Sequence, residues 1–159
     1  MQNSKRDLRV FMRDSAKREE VIRAPGPDSI KGADGRPVML EIKVLSGETI
    51  QRVNDAYKTR TIATDSRGNP YISDGEVAFK TERDTERASR HIIAEALVYP
   101  DLKDPELMAF FGCHDVADMP LKVFPRSDEY NHVSRAVMTA LGGAPAPEEH
   151  EKALEEAKN

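Results

Sequence analysis

The sequence has little cysteine, the residue on which disulfides, zinc–thiolate sites and thiol redox chemistry depend. Cys113 is its single cysteine. One cysteine cannot form an intrachain disulfide or a CxxC motif. Tryptophan is absent, and the 159 residues include five Phe and four Tyr. A chain of this length with 38% hydrophobic residues predicts one ordinary domain with a modest core.

Long apolar runs are also missing. No stretch approaches the roughly 18 apolar residues of a membrane-spanning helix. The N-terminal residues do not contain the apolar segment of a signal peptide. We therefore expect a cytosolic, unprocessed chain that has no association with a membrane.

Charge is abundant but unevenly distributed. The net charge is −4, which argues against a general nucleic-acid binder. Residues 5–23 carry seven basic and four acidic side chains, a net of +3, whereas residues 148–159 carry five Glu and two Lys, a net of −3. Solvated helix faces account for such runs. The alternative is a regulatory or inhibitory protein of a mobile element whose basic N-terminal helix binds nucleic acid or an acidic protein.

The first half of the chain predicts two helices separated by a hairpin. Apolar residues recur at helical spacing over residues 3–16. Alternating apolar residues predict a strand over residues 38–45, after a turn at Asp34-Gly35. Ser46 then offers an N-cap for a helix over residues 47–59. Two turn signals within residues 60–81 leave a second hairpin and a mobile loop as alternatives.

The second half predicts helices separated by proline-containing corners. A helix capped by Asp84 or Thr85 runs to about Val98 and ends there, because Pro100 disfavours the α conformation at the preceding residue. Asp104 and Pro105 begin a new helix that Gly112 ends.

A further corner precedes the last helix. Asp115 is expected to cap a short helical turn that Pro125 ends, and Ser127 or Asp128 is expected to cap the long helix that follows. Its apolar face carries four residues at helical spacing, which are Tyr130, Val133, Val137 and Leu141. The sequence therefore predicts an α+β domain over residues 1–143, with a small antiparallel hairpin or sheet near residues 20–45 packed against four or five helices. Residues 144–159 are predicted to form a flexible acidic tail rich in Pro, Ala and Glu.

Catalytic and metal-binding patterns are weak. Cys113, His114 and Asp115 are adjacent, but neighbours in sequence do not point at one another and triads assemble from separated segments. His91, His114 and His132 do not have the spacing of a known zinc site. No phosphate-binding loop or nucleophile-elbow motif occurs. We predict no catalytic residue, no metal site and no cofactor, and we favour binding or assembly over catalysis.

Residues 95–142 resemble the C-terminal half of the XkdN-like tail assembly chaperones of contractile-tail bacteriophages and prophages. The matching positions are Val98, Tyr99, Pro100, Asp101, Leu102, Lys103, Glu106, Leu107, Gly112, Pro125, Glu129 and Tyr130. The likeness continues more loosely upstream, so that residues 8–143 are covered apart from an insert near residues 65–80. The run from Tyr99 to Gly112 forms a structural signature, because its prolines, caps and glycine shape a corner between helices.

The resemblance implies a non-enzymatic helper of virion morphogenesis. It would bind the tape measure protein, keep it soluble, and leave as tail tube subunits polymerise. Family members are often made in two lengths by ribosomal frameshifting, and the longer form recruits tail tube protein. The expected location is the host cytoplasm, with the protein absent from the mature virion. Formation of a homo-oligomer is left open.

Three aromatic residues are candidates for contacting the partner, which are Phe110, Phe111 and Tyr130. An apolar groove on a small domain can cover an apolar helical stripe of another protein. Aromatics at helical spacing more often pack in the core, so these residues qualify as contacts only where they are exposed.

Overall fold

The computed structural model describes residues 7–12 and 20–142 of the chain. Within them lie seven strands and five α-helices, and two 3-10 turns cover Leu8–Phe11 and Val116–Asp118. The strands are β1 (Val21–Pro25), β2 (Met39–Lys43), β3 (Lys58–Ile62), β4 (Ile72–Ser73), β5 (Glu76–Val77), β6 (Phe79–Arg83) and β7 (Leu97–Tyr99). The helices are α1 (Gly47–Ala56), α2 (Thr85–Ala96), α3 (Pro105–Phe110), α4 (Met119–Val123) and α5 (Ser127–Ala140). The predicted α+β class is confirmed.

A three-stranded antiparallel sheet in the order β1-β2-β7 forms one layer of the fold. The predicted alternation holds on β2, where Leu40 and Ile42 are buried and Met39 is exposed. Since β2 is the central strand, its apolar face packs against α5, while α2 packs against β7. The predicted sheet near residues 20–45 is confirmed.

Strand β7 differs from the sequence prediction, which extended the preceding helix to Val98. Helix α2 ends at Ala96, and Leu97–Tyr99 instead pair with Glu41 and Ile42 on β2. Pro100 keeps Tyr99 out of the helical region, and β2 offers backbone partners to the extended residues before it. The helix therefore ends two residues earlier than local preference indicates, at Ala96 and not at Val98, because a distant strand competes for the same backbone groups.

The core lies between this sheet and the helices. Its largest fully buried side chains come from the sheet, from α2, from the corner after β7, from α4 and from α5, and they include Leu40, Ile42, Ile93, Leu102, Met119, Val133 and Val137. The predicted apolar face of α5 is confirmed at Val133 and Val137, whereas Tyr130 and Leu141 are half-buried at its margin.

Most predicted caps are confirmed. Ser46, Asp84, Asp104 and Asp115 each accept a hydrogen bond from a backbone N–H in the first turn of the following helix. Gly112 has φ +60°, as expected for a residue that ends a helix. The cap predicted for α5 is wrong: extended Arg126 occupies that position without a side-chain cap, and Ser127 is already the first helical residue.

Two further predictions need adjustment. Helix α1 ends at Ala56 and not near residue 59, because Lys58–Ile62 form β3. Of the first helix predicted over residues 3–16, the structure describes residues 7–12, and these contain a single 3-10 turn capped by Asp7. Residues 3–6 and 13–16 lie outside the described residues, as do the predicted tail residues 144–159.

The alternatives left open for residues 60–81 are decided in favour of a hairpin. Strands β3 and β6 pair antiparallel from Lys58–Arg83 to Ile62–Phe79. The distal part closes with the short β4–β5 pair and a bridge between Thr64 and Pro70. We call residues 58–83 the arm.

Candidate protein-binding surfaces

The three aromatic residues proposed as partner contacts differ in accessibility. Phe110, at the end of α3, is 80% exposed. Phe111 contacts it edge-to-face, with ring centroids 4.9 Å apart, but packs against the core. Tyr130 also packs against the core from α5, and burial raises the pKa of its phenol. Of the three, Phe110 is the side chain that is best placed to contact another molecule.

The signature between Tyr99 and Gly112 makes structural contacts. Leu102 is fully buried in the core. The Nζ of Lys103 lies 3.0 Å from the Glu95 carboxylate, and the Asp101 carboxylate accepts a hydrogen bond from the Lys103 backbone N–H. These contacts hold the corner after β7 against α2.

The Glu95 carboxylate connects this corner to α1. Burial opposes its ionisation, but hydrogen bonds from Lys103 and His91, together with their charges, hold the pKa of Glu95 below its usual value. His91 Nε2 lies 3.3 Å from Glu95, and its Nδ1 lies 2.7 Å from the Tyr57 hydroxyl. Burial raises the pKa of Tyr57. The chain of contacts therefore ties α1, α2 and the signature corner together.

Cys113, His114 and Asp115 do not form a nucleophilic site. The Cys113 thiol is buried and donates to the Asp115 backbone carbonyl at 3.1 Å. The Asp115 carboxylate accepts a hydrogen bond from Ala117 N and pairs with Arg87. His114 is exposed on the surface. A thiol that donates to a carbonyl is not paired with a base, so the geometry lacks the activation that a catalytic cysteine needs.

The histidines likewise do not converge. His91 lies against α1 as described, whereas His132 Nε2 lies 2.8 Å from the Pro25 carbonyl oxygen on β1. In the part of the chain that the structure describes, no group of three or more His, Cys, Asp or Glu side chains is arranged to hold a metal.

A groove of about 750 Å³ runs between β1 and α5. Its lining mixes small or branched apolar side chains with polar ones, and comprises Ile22, Ala24, Pro25, Asp128, Asn131, His132, Arg135, Ala136, Thr139 and Ala140. The contact of His132 with Pro25 joins its two walls at one point. We call this feature the β1–α5 groove.

The groove exists because β1 is an edge strand that no helix fully covers. Ile22 and Ala24 pair with Ile42 and Leu40, so they lie on the core-facing side of the sheet. Ile42 and Leu40 are buried, whereas Ile22 and Ala24 are only half-buried. Helix α5 packs over β2 and leaves this part of the apolar face open.

The sequence does not reveal this groove by any motif. The available signals are the alternation of Ile22 and Ala24 and the i, i+4 spacing of Ala136 and Ala140. Both patterns are equally typical of buried core positions. Only the relative placement of β1 and α5 shows that the apolar residues face an opening.

Of the basic N-terminal segment (residues 5–23), which is the basis of the alternative function, the structure describes residues 7–12 and 20–23. There Arg9 Nε pairs with the Asp7 carboxylate at 3.0 Å, and the Arg9 hydrogen bonds lower the pKa of Asp7. The remaining basic residues of the segment lie outside the described residues, apart from Arg23 on β1, which lies 3.9 Å from Glu41. This arrangement does not build a cationic surface at residues 7–12.

Comparison with known proteins gives a family and a fold. A family model described as phage XkdN-like tail assembly chaperone protein matches residues 8–158. The crystal structure of the protein yqbn is similar with a TM-score of 0.64 and 19% sequence identity, over 87% of this chain and 98% of that chain. At this identity the likeness shows the fold alone. No curated protein matches the chain.

Among the described residues, every helix is too short or too polar to cross a membrane.

Proposed function

Since the chain belongs to the XkdN-like phage tail assembly chaperone family, we propose that it binds the tape measure protein and keeps it soluble until the tail tube polymerises. The β1–α5 groove is the observation that carries this proposal. Its lining combines apolar and polar side chains, which suits the binding of one face of an amphipathic helix.

The size of the groove fits this use. Helix α5 borders it from Asp128 to Ala140, a length of about 18 Å at a rise of roughly 1.5 Å per residue. A helix of about three turns can therefore lie along it. A tape measure protein without its tube exposes apolar helical stripes, and covering them segment by segment prevents aggregation.

Weak binding at each groove is sufficient for this activity. Many copies along one extended partner keep it covered collectively, while each copy dissociates readily. Weak single sites also allow tail tube subunits to displace the chaperone during polymerisation. In this proposal the protein acts in the host cell cytoplasm, leaves before the virion is complete, and performs no catalysis.

Phe110 is a second proposed contact on the same partner. Its exposure of 80% is unusual for a phenylalanine and leaves the ring available to an apolar residue of the partner. The Phe111 ring packs edge-to-face against the Phe110 ring, and Tyr130 packs against the core from α5. A longer, frameshifted form that recruits tail tube protein fits the same scheme.

Co-expression with the tape measure protein of the same phage tests the proposal. The wild-type chain is expected to move that protein into the soluble fraction of the lysate. Ala136→Gln, which places a longer polar side chain in the lining of the groove, is expected to abolish this effect. Ala56→Gln makes the same change at an exposed position on α1, away from the groove lining and from Phe110, and serves as the matched control.

Two results would contradict the proposal at different levels. If the wild-type chain leaves the tape measure protein insoluble, the proposed function is wrong. If a correctly folded Ala136→Gln chain solubilises the partner fully, the groove is not the binding site. Phe110 is then the surface to test, with the variant Phe110→Ser. Urea unfolding of each variant verifies that the fold is intact.

A further inference from the structure

The arm projects a two-stranded ladder whose two faces differ in character. Directly paired residues share a face, so one face carries the pairs Lys58–Arg83, Arg60–Thr81 and Ile62–Phe79. The other carries Thr59–Glu82 and Thr61–Lys80. We call the first the cationic face.

The cationic face combines positive charge with apolar surface. Three of its six residues are basic and none is acidic, and Ile62 and Phe79 are 47% and 51% exposed. The Arg60 guanidinium lies 4.2 Å from the centre of the Phe79 ring, in a cation–π contact. Lys58 Nζ lies 2.7 Å from the carboxylate of Asp55, which belongs to α1 and lies outside the ladder.

The opposite face is balanced. Lys80 Nζ lies 2.7 Å from the Glu82 carboxylate on the same strand, and Thr61 is half-buried. The excess of positive charge is therefore confined to one side of the arm. Such an asymmetry is the arrangement that recognises a ligand of opposite charge.

The arm also has more exposed apolar surface than a solvated hairpin needs. Besides Ile62 and Phe79, its distal part exposes Tyr71, Ile72 and Val77 by 57%, 65% and 42%. A two-stranded ribbon standing alone in water is marginally stable. Large exposed apolar side chains clustered on it therefore indicate an interaction surface.

We propose that the cationic face of the arm is a docking surface for an acidic protein segment in which apolar side chains alternate with or flank carboxylates. Carboxylates pair with Lys58, Arg60 and Arg83, and the apolar side chains cover Ile62 and Phe79. The charge of the face selects the partner. A polyanion without apolar side chains would leave the two exposed apolar residues uncovered.

This surface is separate from the β1–α5 groove, and the inference does not rest on the tape measure proposal. No residue of the arm lines the groove. A variant of one surface therefore leaves the other intact, and the two proposals can fail independently.

Fluorescence anisotropy with a labelled synthetic peptide tests the inference. The probe is an amphipathic peptide whose leucine stripe is flanked by glutamates; a second peptide has lysine in place of every glutamate. The full-length protein is expected to bind the acidic peptide and not the lysine peptide. Binding is expected to weaken as KCl is raised, because exposed charges are screened.

Charge reversal on the two faces supplies the matched comparison. Arg60→Glu is expected to weaken binding about tenfold, and Lys80→Glu by less than about twofold although it makes the same charge change on the other face. Ala136→Gln in the groove is expected to leave peptide binding unchanged. Amide NMR spectra show whether the arm stays folded, and Arg83→Gln replaces Arg60→Glu if it does not.

The inference is overturned by any of four results. The acidic peptide fails to bind, the two charge reversals weaken binding equally, or a single-stranded oligonucleotide binds the arm while the peptide does not. The last result would identify the face as a nucleic-acid site. Loss of peptide binding in Ala136→Gln alone would place the peptide in the groove and also reject the arm.

Discussion

Replacing Leu102 by alanine tests whether the segment from Tyr99 to Gly112 stabilises the fold or contacts a partner. Leu102 lies in the corner between β7 and α3 and is completely buried, in the same core cluster as Ile93 and Val133. Its neighbour Asp101 is exposed and Lys103 pairs with Glu95. Leu102 therefore stabilises the corner by packing in the core, and its truncation leaves the exposed side chains of the corner in place.

The expected cost follows from this burial. Leu102→Ala deletes about three methylene equivalents at about 0.8 kcal/mol each, and incomplete collapse of the cavity adds to this, for a loss of about 3 kcal/mol. Natural domains have about 5–15 kcal/mol of stability, so the loss is a large share of the total. With a urea dependence of about 2 kcal/mol per molar, the unfolding midpoint should fall by about 1.5 M.

Urea unfolding followed by far-UV circular dichroism measures this shift. Phe110→Ala in the adjacent helix is the control, because that ring is 80% exposed and its removal should change stability by less than about 0.5 kcal/mol. A Leu102→Ala midpoint equal to that of the wild type would refute the reasoning. So would a large loss in Phe110→Ala, since it would show that the exposed ring stabilises the domain.

Two further predictions concern backbone packing and pH. Gly26→Ala should destabilise the domain by about 1–3 kcal/mol in the same assay, because the new Cβ would meet the Val38 carbonyl oxygen at 2.5 Å; an unchanged midpoint would contradict this contact. Lys103→Gln should cost about 0.5 kcal/mol at neutral pH. Because the pKa of Glu95 is lowered in the fold, its stabilisation is present above the unfolded pKa and is lost as the pH falls through the folded value. The wild-type and Lys103→Gln midpoints should therefore converge in acid, and a constant difference down to low pH would contradict the pairing.

Local signals predicted much of the helical architecture. Ser46, Asp84, Asp104 and Asp115 were predictable as caps because a cap depends on the residue and the N–H groups of the next turn. Gly112 was predictable as a helix end for a similar reason, since a left-handed conformation favours glycine wherever it occurs. The same reasoning was wrong at α5, where the helix begins one residue earlier, at Ser127, and Arg126 takes the cap position without a side-chain bond.

The sheet was predictable only in part. The alternation over residues 38–45 predicted β2, because a half-buried strand imposes a period of two on its own residues. Strand β7 was not predictable, because Leu97–Tyr99 are extended by pairing with a strand more than fifty residues away in the sequence. Local preference at these residues is compatible with either state, so the partner decides.

By itself, the sequence determined the α+β class, the corners shaped by proline, aspartate and glycine, and the resemblance to a family of assembly chaperones. Each of these depends on groups close together in the chain or on a motif carried by one segment. The tertiary structure alone decided that Leu102 is buried and Phe110 exposed, that β1 and α5 leave a groove, and that one face of the arm is cationic. Burial and surface shape arise from how separate elements pack. Of two residues with equal hydrophobicity, one can therefore lie in the core and the other on the surface.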